Sequence, residues 1–306
     1  MGDIVLVTGG SGLVGMALKK ILPNAIYVGS KDYDLTKENE VIKMFDTVKP
    51  SIVIHLAAKV GGILDNMEYP AEYFVDNILI NSLVVKYSYI YNVKRLITVL
   101  SSCIYPNELE KYPLKEEDLH KGPPTESNFS YGYAKRCLAV QIDSYNKQYG
   151  TNYNYIIPCN LYGIGDKDDD KKSHFVTALI KKIYDANKKG VNEITLLGDG
   201  TPLRQFMLAD DLAYVIKEML DKNIYENFNI TSDETCTISE IAQIALKVCD
   251  SEHLNIFYDK TKPNGQYRKD ISNDKLKTLL PSFKPTALSH GIKKVYESLK
   301  NDKISK

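Results

Sequence analysis

Thr8-Gly9-Gly10-Ser11-Gly12-Leu13-Val14-Gly15 joins a short apolar run, residues 4–8, to a helical pattern over residues 14–22. Few folds hold such a strand–loop–helix, because each glycine answers a separate steric demand. Gly9 permits the tight turn, Gly12 lets backbone approach a pyrophosphate, and Gly15 lets the helix pack close to the strand. The freed amides and the helix N-terminus then face an anion. Dinucleotide binding is the expectation, with Gly9, Ser11, Gly12, Leu13, Val14 and Gly15 around the phosphates.

The rest of the first half alternates strand and helix patterns. Strands are expected over residues 25–28, 51–55, 95–100 and 153–157, and helices over 37–48, 67–93 and 131–149. That order predicts an α/β fold, a doubly wound parallel sheet of the Rossmann type with helices on both faces. After Gly163 the alternation weakens. Residues 166–172 are charged and read as a solvated surface turn, followed by a helix over 176–186 and a strand over 194–197. Thr237-Ile238-Ser239-Glu240 has capping-box spacing ahead of a helix over 241–248. The expected division is a dinucleotide-binding domain over 1–165 and a smaller C-terminal α/β substrate domain over 166–306. The helix near 206–228 is expected to return to the first domain.

Lys and Arg together number 39, as do Asp and Glu, with no basic block, so neither a nucleic-acid nor an anionic-membrane partner is expected. No apolar run reaches the roughly 18 residues that span a bilayer. The N-terminus lacks the basic start and cleavage site of a signal peptide. Five cysteines are odd in number and widely scattered, with no CxxC pair, so neither a disulfide framework nor a metal site is expected. A cytoplasmic location follows as the expectation.

The second predicted strand ends at Val28-Gly29-Ser30-Lys31. An acidic side chain there would grip a ribose 2′-hydroxyl; Ser30 and Lys31 instead offer donors and a positive charge, which favours NADPH over NADH. Asp34 and Leu35 are expected near the adenine. Ser101 ends the fourth strand, and Tyr131 and Lys135 share one face at the start of a helix. A tyrosine hydroxyl, with an ordinary pKa of about 10, is a poor acid–base at neutral pH. A neighbouring ammonium and a nicotinamide cation are expected to lower it. Tyr133 falls on another face.

With His55-Leu56-Ala57-Ala58 added, these motifs resemble the extended short-chain dehydrogenase/reductase family. Ala57-Ala58-Lys59-Val60-Gly61-Gly62, Ser101-Ser102-Cys103-Ile104-Tyr105-Pro106, Asn160-Leu161-Tyr162-Gly163 and Arg204-Gln205-Phe206 resemble its GDP-L-fucose synthase branch, from residue 4 to about 295. Those enzymes are NADPH-dependent 3,5-epimerases and 4-reductases of a GDP-linked 4-keto-6-deoxy sugar. The resemblance gives reduction to Tyr131 and Lys135 with Ser101, and epimerisation to Cys103 and His174. A thiol and an imidazole suit proton exchange beside a ketone, since both titrate near neutrality. It further implies that Leu56, Ala57, Ala58, Lys135 and Asn160 touch the cofactor. Ser102, Asn160 and Arg204 would touch the substrate, with Arg204, and less strongly Lys269, on its diphosphate. Only four residues are Arg, which makes Arg204 the more telling. A homodimer through the helices of 67–93 and 131–149 is also implied.

Departures from the branch fall on the sugar side. Leu197 stands for a Trp, Asn264 for an Asp, Lys182 for an Arg, Ile164-Gly165 for Pro-His and Thr177 for a Pro. A larger sugar, such as a GDP-4-keto-heptose, or reduction without epimerisation, therefore stays open. A 4,6-dehydratase would need an Asp-Glu pair where Ser102-Cys103 stand. A UDP-hexose 4-epimerase is disfavoured by the Ser-Ser-Cys-Ile-Tyr-Pro block, and a non-catalytic NAD(P)-binding sensor by the intact Ser101, Tyr131 and Lys135.

Overall fold

Strand after strand in the first half is mostly apolar without alternation, as a sheet covered on both faces requires. The computed structural model, which describes residues 2–166 and 174–304, places these strands in one parallel sheet. It opens with β1 (Val5–Thr8), α1 (Leu13–Ile21), β2 (Ile26–Val28), α2 (Glu38–Val48) and β3 (Ile52–His55). Next come α3 (Ile63–Glu68), α4 (Pro70–Ile90), β4 (Arg95–Val99), α5 (Phe129–Tyr149), β5 (Tyr153–Pro158) and β6 (Asn160–Tyr162). The second half continues with α6 (Phe175–Lys189), β7 (Glu193–Leu197), β8 (Leu203–Leu208), α7 (Ala209–Asp221) and β9 (Phe228–Ile230). It ends with β10 (Thr235–Thr237), α8 (Ile238–Val248), β11 (Asn255–Asp259), α9 (Asp274–Leu279) and α10 (Leu288–Ile304). Of the charged turn expected over 166–172, only Asp166 lies within the described residues.

Six strands run parallel in the order β2-β1-β3-β4-β5-β9. On the helical side, α4 packs against both α2 and α5, while α1 packs against α7, so two separate layers clothe the sheet. The first core gathers Leu6, Val53, Ile97, Leu138 and Ile156, and it extends to Leu212, Ile216 and Met219 of α7 and to Leu276 of α9. The second core lies between α6, α8 and α10 and includes Val176, Ile180, Ile241, Ala245 and Ile292. Its strands form the sheet β10-β8-β6 and a separate parallel pair, β7 with β11. The capping box at Thr237 and Glu240 is present at the start of α8. Among the described residues no helix is long and apolar enough to cross a membrane.

A polar seam joins the two lobes. Gln205 of β8 donates to the Ile271 carbonyl at 3.3 Å and accepts from the Ile271 amide at 2.8 Å. The Leu114 amide donates to the Asp270 carbonyl, and the Ser272 amide returns the bond to Leu114, at 2.9 and 2.8 Å. Residues 268–272 are thus stitched to β8 on one side and to the loop before α5 on the other. Asp211 of α7 accepts from both the amide and the hydroxyl of Thr286 at 2.8 Å, tying the approach to α10 to the first lobe.

Arg95 opens β4 as a buried cation. Its Nη2 donates to the Met219 carbonyl in the last turn of α7 at 2.8 Å and to the Ile224 carbonyl, with the guanidinium over the Tyr225 ring. Replacing it strands two acceptors that water does not reach, so Arg95→Met is expected to cost about 2–4 kcal/mol in a urea titration. NADPH affinity of the folded variant should stay unchanged, because Arg95 does not line the cavity described next. A loss below about 0.5 kcal/mol would show that α7 is held without this bond.

Candidate active site

The C-terminal ends of the parallel strands open into a cavity of about 1380 Å³ that runs from the glycine loop to the second lobe. Its first half is built from backbone. Gly9 has φ of +72°, and a Cβ added there would stand 2.7 Å from the Ala57 nitrogen. One added to Gly15 would stand 2.6 Å from the Gly9 carbonyl oxygen. The missing side chains let backbone pack against backbone, which sets the tight loop at the start of α1, and Ser11, Gly12, Leu13 and Val14 complete that wall. Leu56, Ala57 and Ala58 line the floor. Beneath them His55 bridges the Thr8 hydroxyl at 2.7 Å and Asn81 at 3.1 Å, and burial with the charge of Lys135 drives its pKa down to about 3.

At the end of β2, Ser30, Asp34 and Leu35 line the cavity as expected, joined by Tyr33 and Thr36. Lys31 does not: its side chain is exposed and lies outside the wall. Asp32, the acid that would disfavour a 2′-phosphate, turns back and accepts from the Gly29 amide at 2.8 Å. Asp34, though on the wall, is engaged by Thr36 and Lys37, so the pairing of both carboxylates, rather than a facing lysine, keeps this end compatible with NADPH.

The reaction centre forms where β4 meets α5. Lys135 is buried and donates from Nζ to the carbonyl oxygen of Val99, the last residue of β4, at 2.9 Å. Burial lowers its pKa to about 8. Tyr131 stands one turn earlier on α5, also facing the cavity. Burial raises its phenol above the ordinary value, the neighbouring Cys103 adds to the rise, and the Ser101 hydroxyl works against it. This runs against the lowering expected from the sequence, because burial of the phenol outweighs the Ser101 hydrogen bond. The protein's own groups keep Tyr131 a neutral phenol, the protonation state of an acid that delivers a proton to a developing alkoxide.

Ser101 caps a single helical turn, Ser102–Ile104, and its hydroxyl accepts from the Cys103 amide at 3.3 Å. The turn sends alternate side chains to opposite sides. Cys103 faces the cavity, whereas Ser102 is fully buried and does not line it, against the expectation that it touches substrate. Lys269 Nζ donates to Cys103 Sγ at 3.2 Å. Burial pushes the thiol up, but the Lys269 ammonium, the Ser101 hydroxyl and the Arg204 guanidinium together outweigh it, and the thiol ends below its usual range. Lys269, assigned from the sequence to a diphosphate, thus has its ammonium on sulfur.

His174 is the residue before α6, and its ring lines the same cavity. Asp166 accepts from the His174 amide at 2.9 Å and from Nδ1–H at 3.0 Å. The Asp166 side chain is only 3% exposed. The solvated turn expected there is therefore wrong at its first residue: the carboxylate is inside, orienting the imidazole. No local pattern announces it.

On the sugar side, Asn160 donates to the Gln205 carbonyl at 3.0 Å and keeps a face on the cavity. Arg204 also lines it, anchored by Nη1 to the Leu203 carbonyl at 2.8 Å, with its pKa drawn down to about 10 by burial. Lys182 lines the wall while donating to the Thr195 carbonyl at 2.8 Å. Asn264 accepts from the Asp199 amide at 2.8 Å, and Leu197 stands 47% exposed at the end of β7. The structure thus brings every expected catalytic side chain and all the expected substrate residues but Ser102 to one cavity, and of the expected cofactor residues only Lys31 falls outside it.

Residues 5–231 match the profile of the NAD dependent epimerase/dehydratase family. The chain is 37% identical over 301 residues to GDP-L-fucose synthase of Dictyostelium discoideum, covering 94% of this chain and 92% of that one. Among solved structures it superposes on a GDP-L-fucose synthetase from Naegleria fowleri bound to NADP, with a TM-score of 0.87 and 32% identity over 99% and 96% of the two chains. A GDP-6-OMe-4-keto-L-xylo-heptose reductase from C. jejuni gives a TM-score of 0.89 at 25% identity over 98% of each. The chain belongs to the NAD dependent epimerase/dehydratase family, in its GDP-L-fucose synthase branch.

Proposed function

We propose that the enzyme reduces the C4 ketone of a GDP-linked 4-keto-6-deoxy sugar and, before reduction, inverts the flanking carbons C3 and C5. The observation that carries this reading is the convergence of two acid–base sets on one cavity: Ser101 with Tyr131, and Cys103 with His174. When bound, NADPH supplies the hydride that becomes the new C4–H bond. Tyr131 gives its phenolic proton to the C4 oxygen, and the Ser101 hydroxyl bonds the same oxygen. Lys135, fixed on the Val99 carbonyl, keeps the first turns of α5 seated on the end of β4.

Inversion asks for a base on one face of the sugar and an acid on the other. Hydrogens at C3 and C5 are acidic because the resulting enolate places its charge on the C4 oxygen, where Tyr131 and Ser101 stabilise it. Cys103 takes the proton as a thiolate. His174, its Nδ1 occupied by Asp166, returns a proton from the other ring nitrogen.

A second reading is favoured by Leu197, which stands exposed on the cavity wall where the branch carries a bulkier Trp. Reduction of a larger GDP-4-keto-heptose without inversion uses the same Tyr131 and Ser101. Incubation of GDP-4-keto-6-deoxymannose with NADPH in deuterated water, followed by NMR, separates the two. Deuterium at C3 and C5 of a 4-reduced product is the expected result. Reduction with protium kept at both carbons would leave a plain 4-reductase and reduce Cys103 and His174 to contact residues.

Tyr131→Phe should lower kcat at least about a hundredfold, the scale of a lost general acid. Its NADPH affinity should stay near that of the unaltered enzyme. Near-normal reduction by the variant would remove Tyr131 from the acid role.

The assembly belongs to the same reading. The α4–α5 pair carries exposed Phe74, Val75, Leu79, Ile90 and Val140, and Tyr89 stacks on Tyr149 with ring centroids 4.2 Å apart at its surface. An apolar face of this kind suits a two-fold partner presenting the same helices. Sedimentation should give a dimer at micromolar concentration and a monomer for Val140→Glu. A monomer before substitution would refute the pairing.

A further inference from the structure

Two buried cations meet at one sulfur. Lys269 and Arg204 are 7% and 9% exposed, and both line the cavity beside Cys103. Among the described residues neither has a carboxylate partner: Asp270, next to Lys269, is taken by Arg268 through Nε at 2.6 Å. A buried ammonium without a counter-charge is costly, and the strongest compensation at hand is an anion within contact distance. The side chain that lies there is the Cys103 thiol, 3.2 Å from Lys269 Nζ.

The contact is built rather than incidental. Residues 267–272 hold Lys269 in place through backbone: the Leu203 amide donates to the Tyr267 carbonyl at 2.8 Å, and Leu114 bonds both Asp270 and Ser272. Gln266 donates to the Pro106 carbonyl at 3.1 Å, three residues beyond the thiol. The charged and titratable groups facing the sulfur are Lys269, Arg204 of β8 and Tyr131 of α5. Tyr131 is held neutral, so the local field at sulfur is positive.

We propose that Lys269 is a positioning residue of the proton-exchange chemistry, holding Cys103 as its thiolate base rather than gripping the diphosphate. Resting on the reading of Cys103 as that base, this leaves Arg204 as the cation for the diphosphate. The step balances within the pair: Cys103 Sγ takes the carbon-bound proton, the electron pair passes to the C4 oxygen, and the Lys269 ammonium stays charged throughout. Once Cys103 carries the proton, Lys269 loses its anion, which favours return of that proton to solvent or sugar and resets the base.

Alkylation of Cys103 by iodoacetamide, followed peptide by peptide with mass spectrometry across pH, reads the thiolate without any sugar. Lys269→Met should slow Cys103 alkylation at pH 7 by about tenfold or more and move its inflection upward, the shift an adjacent opposite charge produces. Lys269→Arg should restore most of the rate, while the exposed Cys137 serves as an internal control. An unchanged Cys103 profile with a raised KM for the nucleotide sugar would overturn the proposal and return Lys269 to the diphosphate. Should the Met variant fail to fold, the thiolate absorbance difference between wild type and Cys103→Ser decides. A midpoint below the ordinary value of about 8.5 supports the pair, and one above it refutes it. Absence of deuterium exchange at C3 and C5 together with a lowered, Lys269-dependent thiolate titration would sink the epimerase reading alone.

Discussion

Among the described residues two hydrophobic cores stay separate and are held in register by backbone amides, Gln205 and Asp211, and the geometry of the cavity depends on that register. Gln205 exchanges bonds with Ile271 in both directions, while its own carbonyl receives the Asn160 side chain. Apolar packing alone would let the lobes slide, since hydrophobic contact is non-directional. Hydrogen bonds buried at the seam resist sliding, because each displaced amide or carbonyl loses its partner where water does not replace it. Each catalytic atom that depends on both lobes inherits its position from these bonds.

Charge is shared across the seam as well as position. Lys269 arrives from one side and the turn of Cys103 from the other, and Cys103 in turn acts on Tyr131. A negative sulfur near the phenol discourages its ionisation, so in the proposed reaction the thiolate base would also keep the Tyr131 acid loaded. Under that proposal the two chemistries share one electrostatic neighbourhood. Lys135 adds anchorage through the Val99 carbonyl, while its charge is felt at the buried His55.

What the sequence disclosed was local. The glycine loop, the Tyr131 and Lys135 spacing and the Thr237 capping box each act within one or two turns, so their meaning is visible in a short window. The sheet followed from the regular alternation of strand and helix. The hidden parts are those made by distant segments meeting: Lys269 lies 166 residues from Cys103, and α9 enters the first core from near the C-terminus. Asp166 was misread because a carboxylate in a charged run looks solvated until its histidine, eight residues on, is placed. Ser102 and Lys31 failed for a subtler reason. Both sit beside residues that do line the cavity, and adjacency in a turn says little about which side a side chain takes.

Leu197 ends β7, which among the described residues pairs only with β11 and joins neither of the larger sheets. The glycine cradle stands on the six-stranded sheet, so the two ends of the cavity answer to different hydrogen-bond ladders. In the proposed reaction, a substitution at Leu197, or at Lys182 and Asn264 around the same ribbon, would alter the room for a sugar while the ladder under the glycine cradle stays as it is. The accepted substrate could then be retuned at little cost to hydride transfer.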